Sequence, residues 1–311
     1  IKLFNLKSSY LYKAFDLYFE SDDIELSDLN ELYGINKNDR KIIKIIKDDL
    51  FFNKYKKLLS SGEFYNNLGD NFVININNSL YFSINQDKVI WGTNKIYKAD
   101  ENYIKAYLLG SVTATILMQR GRLVLHGNAL HKNGRTIACL GPSGAGKSTL
   151  AYFLIKNGWN LISDDLLAIN KNGEVYPGIN RIKIDRGLID FLKINESNLI
   201  YQGKEIKKYC LKKSFIPYCS FKTKINQIYI IHKNREPFKL NSKRIFDVPN
   251  QKNENLLLRF NTFRPDLIKS LKIESDFFKK LVNLQKKVDI KVIKLPSSLE
   301  QIDEFINNIN L

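Results

Sequence analysis

Gly141-Pro142-Ser143-Gly144-Ala145-Gly146-Lys147-Ser148 decides how this chain is read. The octapeptide satisfies G-x-x-x-x-G-K-[ST], with an apolar strand pattern at 136–140 before it and a helical pattern at 149–156 after it. Strand, glycine-rich turn and helix in that order make a phosphate loop. Glycines at 141, 144 and 146 let successive N–H groups converge on phosphate oxygens, and the helix N-terminus adds its partial positive charge. In such a loop Lys147 bridges the β and γ phosphates and the Ser148 hydroxyl ligates Mg2+. The expected nucleotide site is therefore Gly141, Pro142, Ser143, Gly144, Ala145, Gly146, Lys147, Ser148 and Thr149, with ATP and Mg2+ as cofactors. The plain alternative, a glycine-rich turn before an ordinary helix, fits the flanking pattern less well. Asn157-Gly158 reads as the cap that ends the helix.

Downstream, Asp164-Asp165 closes the apolar run Leu161-Ile162-Ser163, with Asp165 eighteen residues after Lys147. A strand running parallel beside the loop strand would set these carboxylates next to the phosphates. One can then hold Mg2+, directly or through water, while the other accepts the proton of an attacking hydroxyl. Adjacent strand residues face opposite sides, so the two need not share a role. The alternative is an aspartate pair that caps a turn. Upstream, His126 stands twenty-one residues before Lys147 at the end of Leu123-Val124-Leu125, and a lone strand histidine is as a rule structural. His126, His131 and His232 show no metal-ligand spacing, so no zinc is assigned. Arg181 and Lys183 alternate on an expected strand, either reaching transferred phosphate or an acidic peptide, or standing as surface cations. Lys207-Lys208 reads as solvated charge.

The remainder of the chain bounds these readings. With 311 residues, 44% of them apolar, a sizeable core can form and disorder is excluded as the main character. Forty-nine Lys plus Arg against 32 Asp plus Glu give +17, which favours anionic partners without choosing among nucleotide, nucleic acid, acidic membrane and acidic protein. Cys139, Cys210 and Cys219 form neither a C-x-x-C pair nor an even set, so a reducing, cytoplasmic setting is expected. Residues 1–10 carry no secretory pattern, and the apolar run at 108–118 falls short of the ~20 residues of a spanning helix, so no membrane partner is expected.

Element patterns divide the chain into an N-terminal region, 1–98, and a P-loop domain, 99–311. Residues 1–68 read as helices and loops, with a helix at 39–59 whose Ile42, Ile43, Ile45 and Ile46 line one face. Its Lys41, Lys44 and Lys47 make a solvated face rather than a nucleic-acid surface. A β-hairpin turns at Asn77-Asn78, a strand follows at 88–91, and a helix at 103–119 ends at Gly121. Strands at 123–126, 129–131, 136–140, 161–163, 166–169, 225–231 and 289–295 then alternate with helices, among them 185–192 and 299–309, which implies α/β layers.

Taken together, His126-Gly127, the loop 141–148, and Gly158 followed by Leu161 to Asp165 resemble, in order and spacing, the HPr kinase/phosphorylase family of P-loop kinases. Leu109-Gly110, Gln119-Arg120-Gly121, the stretch from Val175-Tyr176-Pro177-Gly178 to Lys183-Ile184, and Leu295-Pro296 look most like its lasso-peptide, ribosomal-peptide-modifying branch. The likeness covers roughly residues 70–311. It implies an α/β P-loop kinase core of the HPr kinase/phosphoenolpyruvate carboxykinase type with a smaller N-terminal α+β region. It also implies Asp165 as the base that activates the acceptor hydroxyl, His126 as an active-site residue, and Lys147 and Ser148 as holders of ATP and Mg2+. Asp164 joins Ser148 as the expected metal ligand, and Arg181, in a stretch like "PGxPRLKL", joins the catalytic candidates. Arg264, in Asn261-Thr262-Phe263-Arg264, resembles a "TYR" stretch of the same group.

Departures from the family bear on substrate. The "EIRG" segment, whose glutamate binds Mg2+ in bacterial HPr kinases, has only a partial echo in Asp185-Arg186-Gly187. Asn180 replaces the proline of "PGxPR", and Ser148-Thr149 stands where HPr kinases have Ser-Glu. The expected function is transfer of the γ-phosphoryl group to a hydroxyl, foremost a serine of a ribosomally made peptide or small protein other than HPr. Two alternatives stay open: a metabolite kinase or phosphoenolpyruvate-carboxykinase-like enzyme, and a nucleotide-gated nucleic-acid or protein-binding module. The chain shows no helix-turn-helix, zinc-finger or RRM signature, which disfavours nucleic acid. HPr kinases are oligomers, so the resemblance extends to a homo-oligomer, although no assembly motif can be matched.

Overall fold

The computed structural model describes residues 10–26, 29–32, 41–50, 64–94, 100–194, 197–202, 207–211, 216–232 and 243–308. Its chain divides into two compact units, one running to Arg120 and taking back Asp266–Lys272, the other comprising Gly121–Pro265 and Ile273–Leu311. The division falls at Gly121 rather than at residue 98, so the helix at 103–119 groups with the N-terminal unit.

In the first unit, strands β1 (Tyr10–Ala14), β2 (Leu17–Ser21), β3 (Asn30–Leu32), β4 (Ile42–Lys47), β5 (Tyr65–Asn67), β6 (Phe72–Ile76), β7 (Leu80–Ile84) and β8 (Lys88–Thr93) form one sheet. Their order is β3-β1-β2-β4-β8-β7-β6-β5, with β4 parallel to both of its neighbours. The expectation of helices and loops over 1–68 is thereby corrected. Isoleucines at 42, 43, 45 and 46 satisfy a helical and a two-residue period alike, and β-branching favours the strand once neighbours are available on both edges. Ile43 and Ile45 are buried while Lys44 is exposed, the alternation of a strand. Residues 39, 40 and 51–59 of the expected helix lie outside the described residues. The β6–β7 hairpin matches its sequence signal, with Asn77 at φ 49° and Asn78 at φ 54°. Helices α1 (Glu101–Tyr107) and α2 (Thr113–Gln119) are joined by a π turn at Leu108–Val112, where Thr113 Oγ1 donates to Leu108 O at 2.7 Å.

The second unit contains β9 (Leu123–Lys132), β10 (Arg135–Leu140), β11 (Asn160–Ser163), β12 (Leu166–Ile169), β13 (Glu174–Val175), β14 (Lys183–Ile184), β15 (Ser197–Gln202), β16 (Lys207–Leu211), β17 (Thr223–Lys224), β18 (Gln227–Ile231), β19 (Ile245–Asp247) and β20 (Asp289–Ile293). Its helices are α3 (Lys147–Lys156), α4 (Arg186–Leu192), α5 (Gln251–Phe260), α7 (Glu274–Gln285) and α8 (Leu299–Asn308), while α6 (Pro265–Leu271) lies within the segment contributed largely to the first unit. The main sheet runs β17-β13-β12-β9-β10-β18-β20-β19, with β11 also on β9, and β14-β16-β15 form a small separate sheet. Among the described strands of the main sheet, β10–β18 and β18–β20 are the parallel pairs.

β9 is one unbroken strand, not the two segments expected on either side of Gly127. It turns at Asn133-Gly134 into β10 and pairs along its other edge with both β11 and β12. The strand leading to Asp164-Asp165 is therefore not the parallel neighbour of the loop strand; β9 lies between them. Because β9 is antiparallel to both, β10 and β11 run in the same direction and deliver their C-terminal ends to the same end of the sheet. Side chains of α3, including Leu150 and Phe153, pack with Leu130, Ile137 and Leu161 of the sheet in one buried core. Cys139, Cys210 and Cys219 are free and buried, and burial pushes the Cys139 thiol up to about 12. Among the described residues no helix is long and apolar enough to cross a membrane.

The joint between β9 and β10 admits only glycine at 127: a Cβ there would stand 2.5 Å from both Cys139 O and Leu140 Cδ2. Gly127→Ala is expected to cost about 1–3 kcal/mol through overpacking and to lower the thermal unfolding midpoint of the purified protein. An unchanged midpoint would contradict this close approach.

Candidate active site

β10 ends at Leu140, and the chain curls through Gly141 (φ 155°), Gly144 (φ 78°) and Gly146 (φ 105°) before α3 begins at Lys147. L-residues with a Cβ rarely enter this region, so the curl depends on those glycines. Pro142, Ser143 and Gly144 are exposed at the tip, whereas Ala145, Lys147 and Thr149 are buried. Lys147 Nζ donates to Gly141 O at 2.7 Å and to Pro142 O at 3.1 Å, so the ammonium lies across the loop. Asn128 of β9, fully buried, donates from Nδ2 to Lys147 O at 2.8 Å and ties the strand to the first turn of α3. Ser148 Oγ stands 3.4 and 3.5 Å from the two carboxylate oxygens of Asp164, beside them but beyond a strong hydrogen bond.

At the end of β11, Ser163 Oγ donates to Leu166 O at 2.7 Å, closing the turn that carries Asp164 and Asp165 into β12. Asp165 adopts φ 74°. Its carbonyl accepts the Gly127 N–H at 3.3 Å and lies 3.0 Å from His126 Nδ1. Its carboxylate places Oδ1 3.4 Å from His126 Nδ1 and Oδ2 2.6 Å from Lys183 Nζ. Asp164 Oδ2 accepts the Lys183 N–H at 3.0 Å. His126 is held from behind, its N–H donating to Asn261 O at 2.7 Å and its ring centroid 6.0 Å from that of Phe263. Lys147, Ser148, Asp164, Asp165 and His126 thus come together around the end of one sheet.

Arg181 and Lys183 do not alternate on one strand as free surface cations. Arg181 precedes β14 and is 5% exposed, and Lys183 is bound to the aspartate pair. Arg264, at φ 48°, sits over the Phe263 ring at 5.9 Å. Asn128 was not among the residues singled out from sequence, and Lys183 was read without its partner. The alternation Arg181-Ile182-Lys183-Ile184 marks a half-buried strand, but a partner eighteen residues away leaves no local signal.

The electrostatics separate the two carboxylates. Burial works against ionised Asp165, but the Lys183 ammonium, with His126 and Arg181 behind it, outweighs burial and holds the carboxyl well below the usual carboxylate range. Asp164 moves up, through burial and the neighbouring charge of Asp165, against the pull of the Lys183 N–H and of the Lys183 and Lys147 charges. Burial lowers His126, the Asp165 charge pulls it back up, and the Lys147 and Lys183 charges lower it further, with a net shift downward. A ring that is neutral near pH 7 lends Asp165 little charge, so Lys183 is its principal cation.

The donor set suits Mg2+: a hydroxyl and a carboxylate, both hard oxygen donors, stand side by side at the start of α3, and Mg2+ takes one or two protein oxygens beside phosphates and waters. Bound between Ser148 and Asp164, the ion would offset phosphate charge. Among the described residues no cluster of three or more His, Cys, Asp or Glu offers a denser metal site.

Comparison with known proteins gives one sequence match. A 53-residue stretch is 42% identical to the HPr kinase/phosphorylase of Caldanaerobacter subterraneus subsp. tengcongensis, covering 17% of this chain and 17% of that protein. The chain has a weak, local homology to HPr kinase/phosphorylase. The match spans about a sixth of the relative's length. Among solved structures, the HPr(Ser) kinase/phosphatase of Coxiella burnetii aligns with a TM-score of 0.29 at 11% identity, over 60% of this chain and 94% of that one. No profile of a known protein family matches the chain.

The lowered His126 has a consequence for stability. Its folded pKa lies below the unfolded value of about 6.5, so between those two values the unfolded state binds the extra proton. This contribution is intact above about pH 6.5 and is lost as pH falls toward the folded pKa. His126→Asn is expected to lose less thermal stability than wild type between pH 7.5 and pH 5.5; equal losses would show that His126 is not the group responsible.

Proposed function

We propose that this chain is an ATP- and Mg2+-dependent kinase that transfers the γ-phosphoryl group to a hydroxyl. The acceptor in this proposal is a serine of a ribosomally made peptide or small protein, the substrate class of the lasso-peptide branch that its sequence resembles. One observation carries it: β10 and β11, running the same way on either side of β9, bring a glycine loop with its lysine and a pair of aspartates to one end of a sheet. Phosphate-binding and proton-accepting groups then stand at the same end of the sheet.

In this proposal the N–H groups of 143–149 and the Lys147 ammonium bind the nucleotide phosphates, and Ser148 and Asp164 would hold Mg2+. A lone pair of the acceptor oxygen forms the new O–P bond while the bond from the γ phosphorus to the bridging oxygen breaks, its electrons leaving on ADP. The acceptor proton passes to Asp165, which is 30% exposed and so within reach of a substrate. A carboxylate of low basicity suits this task, because in a loose phosphoryl-transfer transition state orientation of the hydroxyl matters more than early deprotonation. His126 steadies Asp165 through its carbonyl, and buried Arg181 adds positive charge beside it.

Incubation with γ-labelled ATP, Mg2+ and candidate precursor peptides tests the proposal, with labelled phosphoserine as the expected product. A labelled small molecule in place of peptide would move the assignment to a metabolite kinase. Asp165→Asn is expected to keep ATP affinity within about threefold and to lower turnover by about 10²–10⁴-fold. Unchanged turnover would remove Asp165 as the proton acceptor. Lys147→Ala should weaken both ATP binding and turnover, measured by titration with a fluorescent ATP analogue and by the same transfer assay.

A further inference from the structure

We propose that Lys183 is the positioning residue of the aspartate pair, the group that gives two adjacent and chemically identical carboxylates different tasks. The proposal rests on the kinase reading above. Two aspartates joined by one peptide bond would otherwise compete for the same ligands. Lys183 reaches both of them: its main-chain N–H donates to Asp164 Oδ2 at 3.0 Å, and its ammonium contacts Asp165 Oδ2 at 2.6 Å. Beyond these contacts the two carboxylates face different partners. Asp164 Oδ1 and Oδ2 stand 3.4 and 3.5 Å from Ser148 Oγ, on the side proposed for the metal and nucleotide. Asp165 Oδ1 stands 3.4 Å from His126 Nδ1, on the side proposed for the acceptor.

The main chain of Lys183 is fixed well enough to do this. Ile182 and Ile184 on either side are 0% and 2% exposed, both in the core that holds α3, and Lys183 pairs across β14 with Cys210 of β16. Alternation along the strand turns the lysine away from that core, and its side chain keeps 24% exposure at the aspartates. A surface cation on a flexible segment would have neither the buried neighbours nor the second contact through its own N–H. Removing the ammonium frees the Asp165 carboxylate to rotate about its χ angles, and misplacement by about 1 Å can cost on the order of 100-fold in rate. The acceptor proton goes to Asp165, and no further reactant is needed.

Steady-state kinetics with ATP, Mg2+ and a peptide that the wild type phosphorylates provide the test. Lys183→Met is expected to lower kcat about 100-fold with KM for ATP changed less than about threefold. Lys183→Arg, which can still reach Asp165, should return kcat to within about tenfold of wild type. In the Asp165→Asn background, Lys183→Met should add less than about a twofold effect, because the group it positions is gone. An unchanged kcat, a rise in KM for ATP in place of a fall in kcat, or the same loss in both backgrounds would each overturn the proposal. If Lys183→Met melts below assay temperature, Lys183→Gln against Lys183→Arg at lower temperature decides in the same way. Should the wild type phosphorylate no acceptor, the kinase reading fails separately. Thermal melts then judge Lys183 alone: its midpoint shift and that of Asp165→Asn should fall short of adding in the double variant, and full additivity would sink the positioning role.

Discussion

β9 shares its two edges between the strand that feeds the glycine loop and the strands that carry the aspartates, and every group of the candidate site depends on that sharing. The phosphate-binding end is fixed by β10 and by Asn128 on Lys147 O, the aspartates by β11, β12 and the Gly127 N–H on Asp165 O. His126 is itself a residue of β9. The proposed donor, metal and acceptor positions are thus referred to one strand, whose register is held from both sides. A one-residue slip would turn every side chain to the opposite face, so the two sets of pairings guard the same geometry.

What was legible in the sequence was local. The glycine loop, the Asn77-Asn78 and Asn133-Gly134 turns and the start of α3 each carry their conformation in a few adjacent residues, and the structure has them where those residues stand. Ile42, Ile43, Ile45 and Ile46 were ambiguous because their spacing suits both periods, and only the neighbouring strands β2 and β8 decide the matter. The order of strands around β9 was not legible, since a hairpin and a parallel crossover both bring the aspartates to the loop. Lys183 was visible as a residue but not as a partner, because its contacts are made by the fold and not by its neighbours in the chain.

Charge in the site is far more balanced than charge in the chain. The protein carries +17, yet the two carboxylates at the end of β11 are answered by Lys147, Lys183 and Arg181, with a histidine held mostly neutral by burial. Neither this small cluster nor one nucleotide with its metal would account for a surplus of +17. The surplus of lysine therefore belongs to the surface at large, where a solvated coat costs little and an acidic peptide would be drawn in without needing a charged pocket.

Asp165 sits at φ 74°, a left-handed conformation that costs most L-residues about 1–2 kcal/mol and that aspartate, asparagine and glycine bear best. The backbone at this position accepts a short list of residues, and the proposed proton transfer would select one from it. Drift at position 165 would run most easily to asparagine or glycine, either of which keeps the turn while removing the carboxylate. A copy of this protein that had lost the proposed reaction in that way would keep the same outline, and its decay would be written in one side chain rather than in its shape.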